Sequence, residues 1–112
     1  MNETMSNESP VRLCSVHEVE PDFPLPVVIE GMPPIAVYRI QDQFYATDNL
    51  CTHGQALLTD GCQQEGIIEC PLHGGAFDIR SGQPTASPCR VVLKTYPVLQ
   101  DGDDLFIASV AD

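Results

Sequence analysis

Short apolar runs recur along the chain from Val11 onward, and no window keeps a helical period for more than about two turns. The run at Ile35–Ile40 reads IAVYRI, and its β-branched and aromatic side chains favour a strand. Further strands are predicted at 11–14, 27–30, 43–47, 66–69, 76–79, 91–96 and 105–109. Residues 15–19 predict one helical turn, with Ser15 as its cap.

Proline and glycine separate these runs, with 10 prolines and 8 glycines in 112 residues. Such punctuation is typical of a loop-rich β protein and not of a helical bundle. We therefore predict an all-β fold, a small antiparallel β sandwich or barrel, in which residues 46–84 form a loop-rich portion that carries the functional site. The length suits one domain, expected at 9–112 after a flexible tail at 1–8.

Charge and cysteine content narrow the choice of partners and compartment. The chain has 16 acidic and 5 basic residues, a net charge of −11, which disfavours nucleic acid and is compatible with steering toward a basic protein. The initial stretch MNETMSNES lacks the apolar core of a secretory signal, and no apolar run approaches the roughly 20 residues that span a bilayer. We expect a cytoplasmic protein that does not enter a membrane, with cysteines that are thiols or metal ligands.

Two matched pairs of cysteine and histidine stand out within 46–84. In LCTHGQALL one residue separates Cys51 from His53, and in IIECPLHGG two residues separate Cys70 from His73. Glycine follows each histidine, and each pair lies in a loop after a predicted strand. Two thiolates and two imidazoles make a complete four-ligand set for a metal centre.

The spacing leaves three interpretations open. The pairs could be incidental, or they could hold a structural zinc ion, although zinc loops usually pair ligands of the same kind. In the third interpretation they hold a [2Fe–2S] cluster, with Cys51 and Cys70 on one iron and His53 and His73 on the other. A loop that offers one thiolate and one imidazole can reach two adjacent metal ions, so the mixed loops fit the cluster best.

This C-x-H…C-x-x-H pattern, with CPLHGGAFD as its second loop, resembles that of the Rieske iron–sulfur proteins. The stretch FYATDNLCTHGQALL and the later YPV are similar to the small ferredoxins of multicomponent ring-hydroxylating dioxygenases. The resemblance implies a Rieske-type [2Fe–2S] cluster on Cys51, His53, Cys70 and His73. It also implies a monomeric electron carrier, not an enzyme, that takes electrons from a flavin-dependent ferredoxin reductase and passes them to a terminal oxygenase of aromatic hydrocarbon catabolism.

Departures from the respiratory Rieske proteins bear on the reduction potential. Those proteins have a disulfide between the two loops, and the matching positions here are Ala56 and Leu72. They also have serine and tyrosine hydroxyls that donate hydrogen bonds to sulfur, and the matching positions here are Gly75 and Phe77. Fewer donors stabilise the reduced cluster less, so we predict a low potential, on the order of −150 mV. Residues 83–88 resemble the proline-containing loop that covers the cluster.

A second function is compatible with the same cluster, in which the chain is a permanent part of a larger enzyme and not a free carrier. A Rieske-like domain can be the small subunit or a module of a larger reductase, such as one of the nitrite reductase type, and would then need a large apolar surface.

Several other residues in and around the loops have weaker expectations. Cys14 is expected to pack in the core, Cys89 to pack near the proline-containing loop, and Cys62 to be an exposed thiol without a function. Positive φ angles are expected at the loop glycines Gly54, Gly74 and Gly75.

Overall fold

A computed structural model describes residues 10–52, 56–72 and 74–108. The flexible tail predicted at 1–8 lies outside the described residues. Within them the chain forms eleven strands: β1 (Pro10–Ser15), β2 (Leu25–Val27), β3 (Ile35–Ile40), β4 (Gln43–Asp48), β5 (Cys62–Gln64), β6 (Ile67–Glu69), β7 (Ala76–Asp78), β8 (Pro84–Ala86), β9 (Thr95–Tyr96), β10 (Val98–Asp101) and β11 (Asp104–Ala108).

The strands form three antiparallel sheets. Their orders are β1-β11-β10, β2-β3-β4-β9 and β5-β6-β7-β8. The hairpin of β3 and β4 has six pairs in register, from Ile35 opposite Asp48 to Ile40 opposite Gln43. In the third sheet, β5 and β6 lie between the two Cys/His pairs in the sequence, and β7 and β8 follow the second pair. The prediction of a small antiparallel β fold with a loop-rich portion is confirmed.

Strand β3 separates two hydrophobic clusters, which explains why its sequence is almost continuously apolar. Side chains of successive strand residues point to opposite faces, so every second residue shares a face. Ala36, Tyr38 and Ile40 therefore pack in one cluster, together with Cys51 and Cys70 among others. Ile35 and Val37 pack in the other, together with Cys14, Leu105 and Ile107 among others. The first cluster is the apolar base on which the two predicted ligand loops lie.

Helical structure in the described ranges is confined to short 3₁₀ turns at Val16–Glu18 and Leu58–Asp60. The backbone N–H of His17 donates to Ser15 Oγ at 3.2 Å, so the predicted helical turn and its cap are confirmed. The helical turns found in residues 10–52, 56–72 and 74–108 lack the length and the apolar character of a membrane-spanning helix.

All eight predicted strands overlap observed ones, but 91–96 shortens to Thr95–Tyr96, and 27–30 overlaps β2 at Val27 alone. Val91 and Val92 are exposed and belong to a connection, so their β propensity is not used. The sequence did not predict β5, β8 or β10. Strand β8 contains Pro84 and lies at the edge of its sheet, where a missing N–H costs no internal hydrogen bond.

Candidate metal centre

The first Cys/His loop follows β4 and closes on itself. Leu50 and Leu57 form an antiparallel bridge across its base. Inside this bridge the backbone N–H of Cys51 donates to the carbonyl of Ala56 at 2.9 Å. His53, like Gly54, lies outside the described residues. The backbone on both sides of the predicted histidine ligand is therefore fixed by pairing across the loop.

Asn49 anchors this loop, and sequence analysis did not single it out. Its side chain is 1% exposed. Asn49 Oδ1 accepts from the backbone N–H of Thr59 at 2.9 Å, and Asn49 Nδ2 donates to Thr59 Oγ1 at 3.0 Å. The carbonyl of Asn49 also accepts from the N–H of Leu58 at 2.7 Å. An asparagine between a strand and a loop is a common turn residue, so the available sequence signal was weak.

The second loop joins β6 to β7 and closes in the same way. The backbone N–H of Cys70 donates to the carbonyl of Gly75 at 2.7 Å. In both loops the cysteine N–H thus meets a carbonyl five positions further along, at Ala56 in the first loop and Gly75 in the second. Two loops of different sequence therefore hold their cysteines with the same backbone hydrogen bond across the loop.

The loop glycines have different roles. Gly74 has a φ of +75°, so the prediction of a left-handed residue is confirmed there. At Gly75 the prediction is wrong, because its φ is not positive. Glycine is needed at that position for space, since a Cβ built on Gly75 would overlap Cys89 Sγ. The third of these glycines, Gly54, lies outside the described residues.

The two loops bring the thiols of Cys51 and Cys70 together below the surface. Each cysteine is 2% exposed. Burial raises the pKa of Cys70; a hydrogen bond from the Leu72 backbone opposes this, while the hydrogen bond and charge interaction with Cys51 add to it. Two adjacent buried sulfurs that repel each other as thiolates are suited to a cation or metal cluster that neutralises both.

The structure describes two of the four predicted metal ligands. Cys51 and Cys70 converge, whereas His53 and His73 lie outside the described residues. Among the residues that the structure describes, no three His, Cys, Asp or Glu side chains form a ready metal site. The chemistry of the two thiols fits the cysteine half of a mixed thiolate–imidazole set.

A third segment lies against both loops. It comprises β8 and the residues after it, including a cis peptide bond between Ser87 and Pro88. Cys89 Sγ lies 3.9 Å from Cys51 Sγ, well beyond the about 2.05 Å of a disulfide bond. Burial raises the pKa of Cys89, as the charge of Cys70 does, while a hydrogen bond with Cys51 lowers it. Two residues after Cys89, the carbonyl of Val91 accepts from Thr52 Oγ1 at 3.1 Å.

The remaining cysteines have the environments that the sequence predicted. Cys14 is 2% exposed in the cluster on the far side of β3, and burial foremost, with the nearby Glu18 charge, raises its pKa to about 11. Cys62 is exposed at the start of β5. In the described part of the chain, the structure shows no hydrogen bond from Cys14 or Cys62 to the thiols of Cys51 and Cys70.

Apolar and acidic side chains share the surface around the loops. Five large hydrophobic residues of the two loops and the third segment are exposed: Leu50 (49%), Leu57 (37%), Leu72 (41%), Val91 (61%) and Val92 (51%). Asp60 and Glu69 line a shallow depression together with Cys70 and Pro71. By contrast, Asp104 accepts from Arg12 Nη2 at 2.9 Å, and Asp103 lies 3.3 Å from His17 Nε2. The acidic residues beside the loops are therefore better candidates for partner steering than those of the β10–β11 turn.

Comparison with known proteins identifies a family along most of the chain. Residues 9–97 match the family model described as the Rieske [2Fe–2S] domain. Ferredoxin CarAc of Metapseudomonas resinovorans is 40% identical over 102 residues, which cover 91% of this chain and 95% of that protein.

Solved structures agree with this match. A ferredoxin of Sphingomonas yanoikuyae B1 superposes with a TM-score of 0.86 at 45% identity, covering 93% of this chain and 100% of that one. A ferredoxin in the complex of reduced oxygenase and oxidised ferredoxin of carbazole 1,9a-dioxygenase gives a TM-score of 0.86 at 39% identity, covering 95% and 98% of the two chains. The likeness extends over essentially whole proteins of the same size.

Proposed function

Because the chain belongs to the Rieske [2Fe–2S] domain family, we propose that it is the ferredoxin component of a ring-hydroxylating dioxygenase system. Its cofactor is a Rieske-type [2Fe–2S] cluster, which supplies one-electron redox chemistry when bound. Like its named relatives, which are ferredoxin components, the chain is an electron-transfer component of such a system and not its catalyst. The observation that carries the proposal is the pair of buried thiols on two identically closed loops.

The ligand set is assigned to four residues. Cys51 and Cys70 bind one iron through sulfur, and His53 and His73 bind the other through nitrogen. The convergence of the two thiols supports the sulfur half. The nitrogen half follows from the position of each histidine within its loop. With this cofactor, the zinc and incidental interpretations of the Cys/His pairs are set aside.

The protein contributes a rigid and shielded setting for electron transfer. The cross-loop bonds to Ala56 and Gly75 and the Asn49–Thr59 pair hold both cysteines in place. Loops that keep their geometry need little rearrangement when the charge of the site changes by one electron. The prediction of a low reduction potential concerns the same site. Gly75 and Phe77 have no side-chain hydroxyl that could donate a hydrogen bond to sulfur and stabilise the reduced cluster.

Docking to the terminal oxygenase uses the exposed apolar residues of the loops. The structure of a relative in complex with its oxygenase supports an oxygenase as the partner. A patch of a few side chains suits the small, transient interfaces of electron-transfer pairs. Asp60 and Glu69 and the net charge of −11 would speed encounter with a basic face of the partner.

We further propose the electron donor, the oligomeric state and the compartment of this protein. The electron donor is a flavin-dependent reductase, the protein works as a monomer, and it works in the cytoplasm. The acidic surface supports the monomeric carrier over a module that is built permanently into a larger reductase. Gel filtration of the reconstituted protein separates the two, since a carrier elutes at the 12.2 kDa of one chain.

Electron delivery is the direct test of the proposal. The reconstituted protein is reduced anaerobically and mixed in a stopped-flow instrument with the oxidised oxygenase of the carbazole 1,9a-dioxygenase system. We expect rapid reoxidation that depends on oxygenase concentration, and a slower rate for the variant Leu72→Glu. Reoxidation no faster than with an equal concentration of serum albumin would contradict the proposal.

A further inference from the structure

Cys89 is a third buried thiol beside the proposed ligand Cys51. It is 5% exposed, and its Sγ lies 3.9 Å from Cys51 Sγ, within the range of a hydrogen bond between sulfur atoms. Its position is fixed by the turn that ends β8, where the Cys89 N–H donates to the carbonyl of Ala86 at 3.2 Å. The proposed ligand set contains no role for this thiol.

The second loop leaves space for this sulfur. A Cβ built on Gly75 would overlap Cys89 Sγ and would lie 3.3 Å from both the Cys89 nitrogen and Pro88 Cδ. Any side chain at Gly75 would therefore displace Cys89 from Cys51. The absence of a side chain on one loop and the presence of a thiol on the neighbouring segment are complementary features of the same site.

The direction of the hydrogen bond follows from the ligand chemistry. A cysteine that binds iron does so as a thiolate, which can accept a hydrogen bond but has no proton to donate. Cys89 is not in the ligand set, and an ordinary cysteine is a neutral thiol at pH 7. With the cluster bound, the shared proton therefore belongs to Cys89 and points to Cys51 Sγ.

We propose that Cys89 is a positioning residue that donates an S–H hydrogen bond to Cys51 Sγ and thereby raises the reduction potential of the cluster. The inference deepens the proposed function, since it rests on Cys51 as a ligand. Reduction adds one electron, no bond forms or breaks, and a donor to the ligand sulfur favours the more negative, reduced form. A thiol is a weak donor, so the effect is modest.

The test compares Cys89→Ala and Cys89→Ser with the wild-type protein. The potential of each reconstituted protein is measured by a titration monitored through its visible circular dichroism. We expect Cys89→Ala to lower the equilibrium constant for reduction about threefold, which is about 30 mV for a one-electron couple. Cys89→Ser keeps a donor and should have a higher potential than Cys89→Ala. The control Cys14→Ala removes a buried thiol from the opposite cluster and should leave the potential at the wild-type value.

A spectroscopic measurement distinguishes a hydrogen bond from a change in packing. Electron–nuclear double resonance of the reduced protein in H₂O and D₂O should show an exchangeable proton coupling that Cys89→Ala lacks and Cys14→Ala keeps. An unchanged potential and proton spectrum in Cys89→Ala, or equal shifts in the alanine and serine variants, would overturn the inference while the ligand assignment stands.

Loss of the cluster has a separate meaning. If Cys89→Ala and Cys89→Ser both fail to bind iron and sulfide while Cys51→Ser binds them, Cys89 is itself the ligand, and both the inference and the ligand assignment are wrong. If Cys51→Ser alone loses the cluster, the ligand assignment is supported, and the potentials of the Cys89 variants decide the inference.

Discussion

Removing the side chain of Asn49 should loosen the first ligand loop and speed the loss of the cluster. Asn49→Ala deletes two hydrogen bonds, one from the Thr59 N–H and one to Thr59 Oγ1. A typical intramolecular hydrogen bond stabilises by about 0.5–1.5 kcal/mol, and a buried donor left without a partner costs about 1–3 kcal/mol. The Thr59 N–H loses its acceptor, so we expect the loop to be destabilised by about 2 kcal/mol in total.

The destabilisation of the loop predicts how fast the cluster is released. If the cluster leaves through local opening of the loop, about 2 kcal/mol raises the population of the open form, and with it the release rate, about 30-fold. The assay follows the anaerobic decay of visible absorbance in excess iron chelator. The matched variant Thr59→Ala keeps the backbone bond to Asn49 Oδ1 and loses only the side-chain bond, so its release rate should rise about fivefold, for about 1 kcal/mol.

The order of the two variants is the critical result. Asn49→Ala should release the cluster faster than Thr59→Ala, and both faster than the wild type. If Asn49→Ala releases the cluster within a factor of two of the wild-type rate, the Asn49–Thr59 pair does not hold the loop, and the reasoning is refuted.

Four further expectations concern ligation, backbone strain, docking and charge. Cys51→Ser should lose the visible spectrum of the cluster, while Cys62→Ser, at an exposed position, should keep it; the reverse result would contradict the ligand assignment. Gly74→Ala should lower the free energy of unfolding of the protein by about 1 kcal/mol in urea titrations, because alanine at a φ of +75° is strained although its Cβ has room. Leu72→Glu should weaken binding to the oxygenase, and an unchanged dissociation constant would exclude the apolar patch as the docking site. Raising the ionic strength from about 0.01 to 0.1 M should slow electron exchange with the partner, since the screening length falls from about 30 to 10 Å, and a constant rate would remove the steering argument.

The elements that sequence predicted well are those whose residues face a core. Strand β3 was predicted at its observed bounds because both of its faces are buried and its side chains are β-branched or aromatic. Its hairpin partner β4 was predicted at 43–47 and is observed at Gln43–Asp48. Cys51 and Cys70 were found because their chemistry and spacing are uncommon, and the structure brings their sulfur atoms together.

The elements that sequence missed depend on neighbours distant in the chain. Strand β5 reads CQQ, and its buried residue is Gln63, which is held by bonds from its Nε2 to the carbonyls of Arg39 and Glu65. No apolar alternation could reveal this strand. The role of Asn49 and the closeness of Cys89 to Cys51 likewise depend on contacts 10 and 38 positions away.

The unequal ligation of the two irons is the centre of this account, and nitrogen coupling measures it directly. The reduced, reconstituted protein, labelled with ¹⁵N at histidine alone, is examined by pulsed electron paramagnetic resonance. We predict couplings from two histidine nitrogens bound to the cluster, one of which disappears in His53→Ala or His73→Ala if any cluster remains. A reduced [2Fe–2S] signal with no histidine nitrogen coupling would mean ligation by cysteine alone and would contradict the account.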